Sequence, residues 1–182
     1  EQHEPAAAEC RDGATEPGID VLLAPDFWRQ AVGDGDALAW ANAWQRFDDW
    51  FDLFTDSARY WVPLTRGQPD GENHTSLLYE DKLLLKVRIE RLKNPNSFSQ
   101  QQPSFCQHVM QAPSIESTAV DAGTWITRTP FVYLESQLDT QIVLAGVSWL
   151  HLVPVGGRLK IQLKKVELLN CDAALPSVQL FP

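Results

Sequence analysis

The sequence predicts an α+β fold in which helices come first and pack on a strongly curved antiparallel sheet. Helical patterns with one apolar face occupy the first half of the chain, up to residue 93. Four β-rich runs with turn residues between them follow from residue 106 onward. Helices followed by a block of adjacent strands indicate a sheet that covers helices on one side.

The composition is that of a globular protein without a nucleic-acid partner. Of 182 residues, 44% are hydrophobic and 21% are charged, which excludes a disordered, collagen-like or coiled-coil chain. The formal net charge of −9 disfavours binding to nucleic acid or to an anionic membrane, because an acidic surface repels phosphates. The chain also has no apolar run of the roughly 20 residues that a membrane helix needs.

The cysteines and the first residues predict a cytoplasmic location. Cys10, Cys106 and Cys171 are odd in number and scattered, which favours a reducing compartment over a disulfide scaffold. Residues 1–18 lack the basic and apolar regions of a signal peptide. We expect residues 1–24, which are rich in proline, glycine and acidic side chains, to form a flexible arm, and residues 25–182 to form one α+β domain.

Two helices and a short strand are predicted before residue 94. In the segment 47–54, Phe47, Trp50, Phe51 and Phe54 lie at helical spacing on one side, opposite three aspartates. The segment 58–64 reads as a strand that ends near Pro63. The second helix is predicted over 78–93. Its apolar positions are Leu78, Leu84, Leu85, Ile89 and Leu92.

The β-rich runs cover residues 106–120, 124–138, 141–153 and 158–170, and their turns predict an antiparallel meander. Pro113 and Pro130 fall inside two runs and predict bulges or edge positions. The apolar residues of the last run change parity near Lys164-Lys165, which predicts a bulge and a curved sheet. The third run is apolar on both faces, so we expect another subunit to cover the face that the helices leave open.

Searches for catalytic and metal motifs predict no site for a metal in this chain. Cys106-Gln107-His108 matches half of a Rieske motif, but the second half is missing. The four histidines lack the spacing of metal ligands. Tyr60, His108 and His151 could serve as proton donors or acceptors in a pocket of a cupped sheet, although a packing role is favoured for each. Trp149 fits an interface or a core equally well.

Several ordered segments together resemble a known family. They are residues 47–64, Tyr79-Glu80-Asp81 with Arg88 and Arg91-Leu92, Gln102-Pro103-Ser104 leading to His108, and residues 164–172 with a tail that ends at Phe181. Their order and spacing over residues 25–182 resemble the small (β) subunit of bacterial aromatic-ring-hydroxylating dioxygenases.

The resemblance implies a cone-shaped fold of the nuclear-transport-factor-two-like (cystatin-like) type. It also implies assembly with a catalytic α subunit, commonly three α with three β. In this family the α subunit carries a Rieske [2Fe-2S] cluster and a mononuclear Fe(II), and it receives electrons from NAD(P)H through a reductase and in some systems a ferredoxin. It inserts both atoms of O₂ into an arene as a cis-diol, or in some members hydroxylates it.

For this chain the resemblance implies a structural role without a catalytic residue, cofactor or metal of its own. We expect its subunit interface to include Tyr60, Trp61, Trp149, His151 and Phe181. Two alternatives stay open from the sequence. One is a stand-alone, cofactor-free isomerase, dehydratase or cyclase that uses an acid–base pair such as Tyr60 and His108. The other is a ligand-binding or scaffolding module.

Overall fold

The structure is a computed structural model that describes residues 47–94, 97, 102, 104–119 and 124–182. The predicted arm (residues 1–24) and residues 25–46 of the predicted domain lie outside the described residues. The described elements, in chain order, are α1 (Phe47–Asp52), β1 (Phe54–Pro63), β2 (Ser76–Asp81), α2 (Lys82–Lys93), β3 (Phe105–Met110), β4 (Ser114–Ala119), β5 (Thr124–Gln137), β6 (Thr140–Val155) and β7 (Arg158–Leu168). The predicted α+β order of helices before a meander is confirmed.

The seven strands form one sheet in the order β2-β1-β7-β6-β5-β3, and β4 pairs with β5 beyond the end of β3. The pairing of β1 with β7 is parallel, and every other pairing is antiparallel. Turns at the predicted places connect the two longest hairpins. Leu138 adopts φ 55° between β5 and β6, and Gly156 and Gly157 adopt φ 59° and 77° between β6 and β7, a region that suits glycine.

The second helix begins at Lys82, so the predicted start at Leu78 is wrong. Residues Ser76–Asp81 form the edge strand β2 instead, with backbone hydrogen bonds to β1. Asp81 then caps α2, because its carboxylate accepts a hydrogen bond of 2.9 Å from the Leu84 amide. Leu85, Ile89 and Leu92 are buried as predicted, whereas Leu84 is 51% exposed, so its predicted place in the core is wrong.

The other boundaries differ less from the prediction. Helix α1 ends at Asp52, and β1 already begins at Phe54, which is nonetheless buried. Pro113 lies in the gap between β3 and β4, and Pro130 lies where β5 changes its partner from β3 to β4. The predicted single run 106–120 is therefore two strands, β3 and β4, which both pair with β5. The predicted irregularity of β7 is a bulge at Gln162, because the neighbours of that residue pair with consecutive residues of β6.

The two faces of the sheet differ in what covers them. We call the face that packs against α1, α2 and the C-terminal segment (residues 175–182) the inner face, and the opposite one the outer face. The inner face carries the core. Its fully buried large side chains include Tyr60 on β1, Tyr133 on β5 and Val166 on β7. The register places the side chains of neighbouring strands in rows across both faces.

Candidate functional site

Strand β6 shows the contrast between the faces most clearly. Leu144, Leu150 and Leu152 point to the inner face and are buried. Val143, on the outer face, is 59% exposed, and the outer residues from Ala145 to Val153 are half-buried. Thus the predicted alternation of two apolar faces is confirmed. The prediction that another subunit covers the outer face stays a prediction, because the structure contains a single chain.

The outer face carries exposed apolar side chains on three adjacent strands. Val109 on β3 lies opposite Val132 on β5, and Val132 lies opposite Ala145 on β6. Exposed apolar groups that are contiguous mark interaction surfaces, whereas isolated ones are ordinary. We call the following set the outer patch: Phe105, Val109, Val132 and Val143.

Beside the outer patch, a row of aromatic and cationic side chains crosses five strands. The Lys165 ammonium lies 4.8 Å from the ring centroid of Trp61, and the Arg128 guanidinium lies 5.8 Å from that of Trp149. These distances are typical of cation–π contacts. The indole nitrogen of Trp149 is buried and has no hydrogen-bond partner among the residues that the structure describes. The complete aromatic–cation row, in strand order from β2 to β5, is Tyr79, Trp61, Lys165, Trp149 and Arg128.

The structure divides the five predicted interface residues between the two faces. Trp149 and His151 lie half-buried on the outer face, where burial and then the charge of Lys165 lower the pKa of His151. Trp61 also points outward, but neighbouring side chains and a 3.0 Å hydrogen bond to Ser76 enclose it. Tyr60 and Phe181 lie inside the protein's own core. Of these five residues, Trp149 and His151 are therefore the ones left accessible to another subunit.

On the inner face, the C-terminal segment closes the concave side of the sheet. The ring of Phe181 packs against Trp50 and Tyr60, with centroid distances of 4.9 and 5.7 Å. The hydroxyl of Tyr60 donates a hydrogen bond of 2.9 Å to the main-chain oxygen of Pro182. Glu135 is buried and accepts hydrogen bonds from the backbone amides of residues 179 and 180, at 3.0 and 3.2 Å. These contacts fix the segment.

A small cavity of about 60 Å³ lies under this segment. His108, Thr129, Ser148 and Lys164 provide polar groups to its lining, and Pro182 closes one side. Burial lowers the pKa of Lys164 to about 8. Burial, and then the charge of Lys164, lowers the pKa of His108 to about 3, so this imidazole is neutral at pH 7. Cavities that admit benzene are larger, roughly 150 Å³, so an arene does not fit here.

The predicted acid–base pair of Tyr60 and His108 is not assembled for catalysis. Tyr60 is absent from the described lining of the cavity, its proton is committed to Pro182, and burial raises its pKa. His108 in turn forms a hydrogen bond with the backbone of Phe181. Each group is therefore engaged with the C-terminal segment.

Across the described residues, no group of three or more His, Cys, Asp and Glu side chains could hold a metal ion. Cys106 and His108 both point to the inner face, and burial raises the pKa of the Cys106 thiol to about 11, which disfavours the thiolate form. None of the described helices has the length and apolar character needed to span a membrane.

Sequence reasoning missed two features. Lys164 and Lys165 are adjacent in β7, so one of them points inward and the other outward. The bulge at Gln162 determines that Lys164 is the one that points inward. Leu83, Leu84 and Val87 form a second exposed apolar surface on α2, which the assignment of Leu84 to the core concealed. The helical spacing of Leu85, Ile89 and Leu92 could have indicated that Leu83, Leu84 and Val87 face away from the core.

Comparison with solved structures shows the fold. The chain superposes with a TM-score of 0.57 on the β subunit of benzoate 1,2-dioxygenase from Burkholderia mallei, at 22% identity over 78% of this chain and 88% of that one. It superposes with a TM-score of 0.62 on a chain of naphthalene 1,2-dioxygenase with indole bound in the active site, at 12% identity over 86% of this chain and 83% of that one. The predicted cone-shaped, nuclear-transport-factor-two-like fold is confirmed.

Sequence comparison shows the family. The chain is 30% identical to benzene 1,2-dioxygenase subunit beta from Pseudomonas putida over 106 residues, which cover 52% of this chain and 57% of that subunit. The match thus spans somewhat more than half the length of this curated relative. A model of the ring hydroxylating beta subunit matches residues 41–173, which is well over half of the chain. The chain belongs to the family of ring-hydroxylating dioxygenase β subunits.

Proposed function

We propose that this chain is the structural, non-catalytic β subunit of an aromatic-ring-hydroxylating oxygenase, and that its outer face docks onto the assembly. The catalytic partner in this proposal is an α subunit with a Rieske [2Fe-2S] cluster and a mononuclear Fe(II), in a complex of three α and three β subunits. Electrons from NAD(P)H reach that subunit through a reductase, with or without a ferredoxin. The proposal includes a cytoplasmic location and no nucleic-acid or membrane partner.

The observation that carries this proposal is the outer patch. This apolar surface spans β3, β5 and β6 and is exposed to solvent. Its burial on docking stabilises a complex by about 25 cal/mol for each Å² that is buried. The adjacent aromatic–cation row supplies Trp149 and Arg128, which belong to the residue types enriched at the centres of interfaces. Family membership supports the identity of the partner.

The geometry gives no support to a stand-alone enzyme. A cofactor-free isomerase or dehydratase needs a pocket that holds its substrate beside the acid and the base. The described cavity of about 60 Å³ is smaller than the roughly 150 Å³ of a cavity that admits benzene, and the C-terminal segment engages Tyr60 and His108. This alternative remains a prediction from sequence without an observation that favours it.

Co-expression with the α subunit of a ring-hydroxylating dioxygenase tests the proposal. We expect the two chains to copurify as one complex that oxidises NAD(P)H when an aromatic substrate, O₂ and the electron-transfer components are supplied. The substitution Val109→Asp places a charge in the outer patch and should abolish copurification, because a buried unpaired carboxylate opposes docking.

A matched control is Leu83→Asp, which places the same charge on the exposed surface of α2. We expect this variant to copurify like the wild type. Turnover of an arene by the purified chain alone would contradict the proposal. So would loss of the complex with Leu83→Asp and its retention with Val109→Asp.

A further inference from the structure

The outer face carries a positive charge that the described part of the chain does not neutralise. Arg128 points outward from β5 and is half-buried. Its guanidinium contacts the ring of Trp149 and forms no ion pair or hydrogen bond with a described residue. A guanidinium that is partly removed from water and has no acceptor for its five N–H groups is unfavourable. This position therefore favours an anion beside Arg128, although the chain as a whole has a net charge of −9.

Two carboxylates in this part of the sheet have other partners. Glu116 on β4 accepts a hydrogen bond of 2.8 Å from the hydroxyl of Ser114, the residue that pairs with Arg128. Glu167 on β7 forms its ion pair of 3.2 Å with Lys165. Neither carboxylate forms an ion pair with Arg128. The described residues thus leave the guanidinium without a counter-ion.

Two further polar side chains surround the same position. His151 follows Trp149 by two residues on the outer face of β6 and is the diagonal neighbour of both Arg128 and Lys165. Diagonal neighbours of this kind lie about 7–8 Å apart. Burial and then the charge of Lys165 lower the pKa of His151, so its imidazole is neutral at pH 7 and has one N–H to donate. We call Arg128, His151 and Lys165 the Arg128 cluster.

The surroundings of the Arg128 cluster restrict the partner. Pro130 and Val147 are half-buried and connect the cluster to the outer patch, so one partner surface can cover both. Such a surface is apolar where it meets the outer patch and acidic where it meets the cluster. A second copy of this chain is a poor candidate, because a net charge of −9 on each copy opposes their association.

We propose that the Arg128 cluster receives an aspartate or glutamate side chain of the α subunit. The carboxylate pairs with the guanidinium of Arg128 and accepts a hydrogen bond from His151, and the apolar residues beside it cover the outer patch. A guanidinium can hold a carboxylate through two parallel hydrogen bonds, which fixes the orientation of the partner. This inference rests on the proposed function and adds the chemistry that the partner presents at this position.

Zero-length carbodiimide cross-linking of the complex identifies the partner of the cluster. The substitution Arg128→Lys places an amine at this position, and a carbodiimide joins an amine to a carboxylate that is in direct contact with it. We expect mass spectrometry to find the amine at position 128 joined to an aspartate or glutamate of the α subunit. The amine of Lys86, which is exposed on α2, is the matched control and should not be joined to that subunit.

A cross-link from position 128 to a second copy of this chain, or to another part of the same chain, without one to the α subunit would overturn the inference. The absence of any cross-link at position 128 in a complex that forms normally would do the same.

Binding of the chain to an immobilised α subunit measures the contribution of the charge. Arg128→Gln should weaken binding by about 10- to 100-fold and should make Kd less dependent on the NaCl concentration, because salt screens the interaction of a charge pair. Lys86→Gln removes one exposed charge on α2 and should bind like the wild type. Far-UV circular dichroism checks that both variants are folded.

Wild-type affinity and wild-type salt dependence in Arg128→Gln would overturn the inference. If Val109→Asp abolishes binding in the same assay, that result leaves the proposed function intact. The two failures are therefore distinguishable. A wild-type chain that binds no α subunit would contradict both.

Discussion

Lys164 and Lys165 are neighbours in β7, yet they belong to two different environments. The ammonium of Lys164 lies inside the cone against Trp50 and Tyr60, and burial lowers its pKa to about 8. The ammonium of Lys165 lies on the outer face against Trp61 and forms an ion pair of 3.2 Å with Glu167. Because side chains alternate along a strand, Lys164 contributes to the core, whereas Lys165 belongs to the face that we propose for assembly.

The largest difference between the faces is expected for apolar side chains. Phe181→Ala on the inner side should lower the free energy of unfolding by about 3–5 kcal/mol, because it leaves a cavity among Trp50, Tyr60 and Phe47. Val143→Ala on the outer face should change it by no more than about 0.5 kcal/mol. Urea denaturation of the isolated chain measures both values. Similar losses in the two variants would break the comparison.

A smaller difference is expected for two glutamates. Glu135→Gln should cost about 2–3 kcal/mol, because the buried carboxylate accepts hydrogen bonds from Tyr133 and from the amides of residues 179 and 180. Glu167→Gln on the outer face breaks one partly exposed ion pair and should cost less than about 1 kcal/mol. Hydrogen exchange at residues 179 and 180 should accelerate in Glu135→Gln alone. Unchanged exchange there would show that Glu135 does not hold the C-terminal segment.

The pH dependence of stability sharpens the comparison further. His108 has a folded-state pKa of about 3, and an unfolded histidine has one near 6.5. Below pH 6.5 the unfolded chain binds a proton that the folded chain rejects, so stability falls as the pH falls. The contribution of His108 between pH 6.5 and 4.5 is about 2 kcal/mol.

His108→Gln should remove that contribution, and His151→Gln on the half-buried outer face should remove less. Urea denaturation of the wild type and of the two variants at pH 6.5 and 4.5 measures how much each histidine contributes to the pH dependence of stability. Equal pH dependence in the wild type and in His108→Gln would contradict the assignment of a neutral, buried His108.

Local patterns predicted most of the fold, because turn residues and alternating apolar residues determine strands and their faces. The turn at Leu138 and the two apolar faces of β6 follow from such patterns, whereas the break at Pro113 divides a run that the pattern predicts as one strand. The start of α2 does not. Leu78 continues the helical spacing, but backbone pairing of residues 76–81 with β1 outweighs it.

The candidate sites were harder to predict, because they depend on contacts distant in sequence. Sequence alone indicated that Trp149 could lie at an interface, and the structure places it on the outer face. Tyr60 and Phe181 have the same aromatic character, but the C-terminal segment folds back onto β1 and buries both. The direction of Lys164 depends on a one-residue bulge, whose exact position the apolar pattern does not fix.

Oxidative footprinting of the isolated chain and of its complex with the α subunit tests the assignment of tasks to the two faces most directly. Labelling of Phe105, Val109, Val143 and Trp149 should fall on assembly, while labelling of Leu83 on α2 should not change. Protection of Leu83, Leu84 and Val87 without protection of the outer patch would contradict the account.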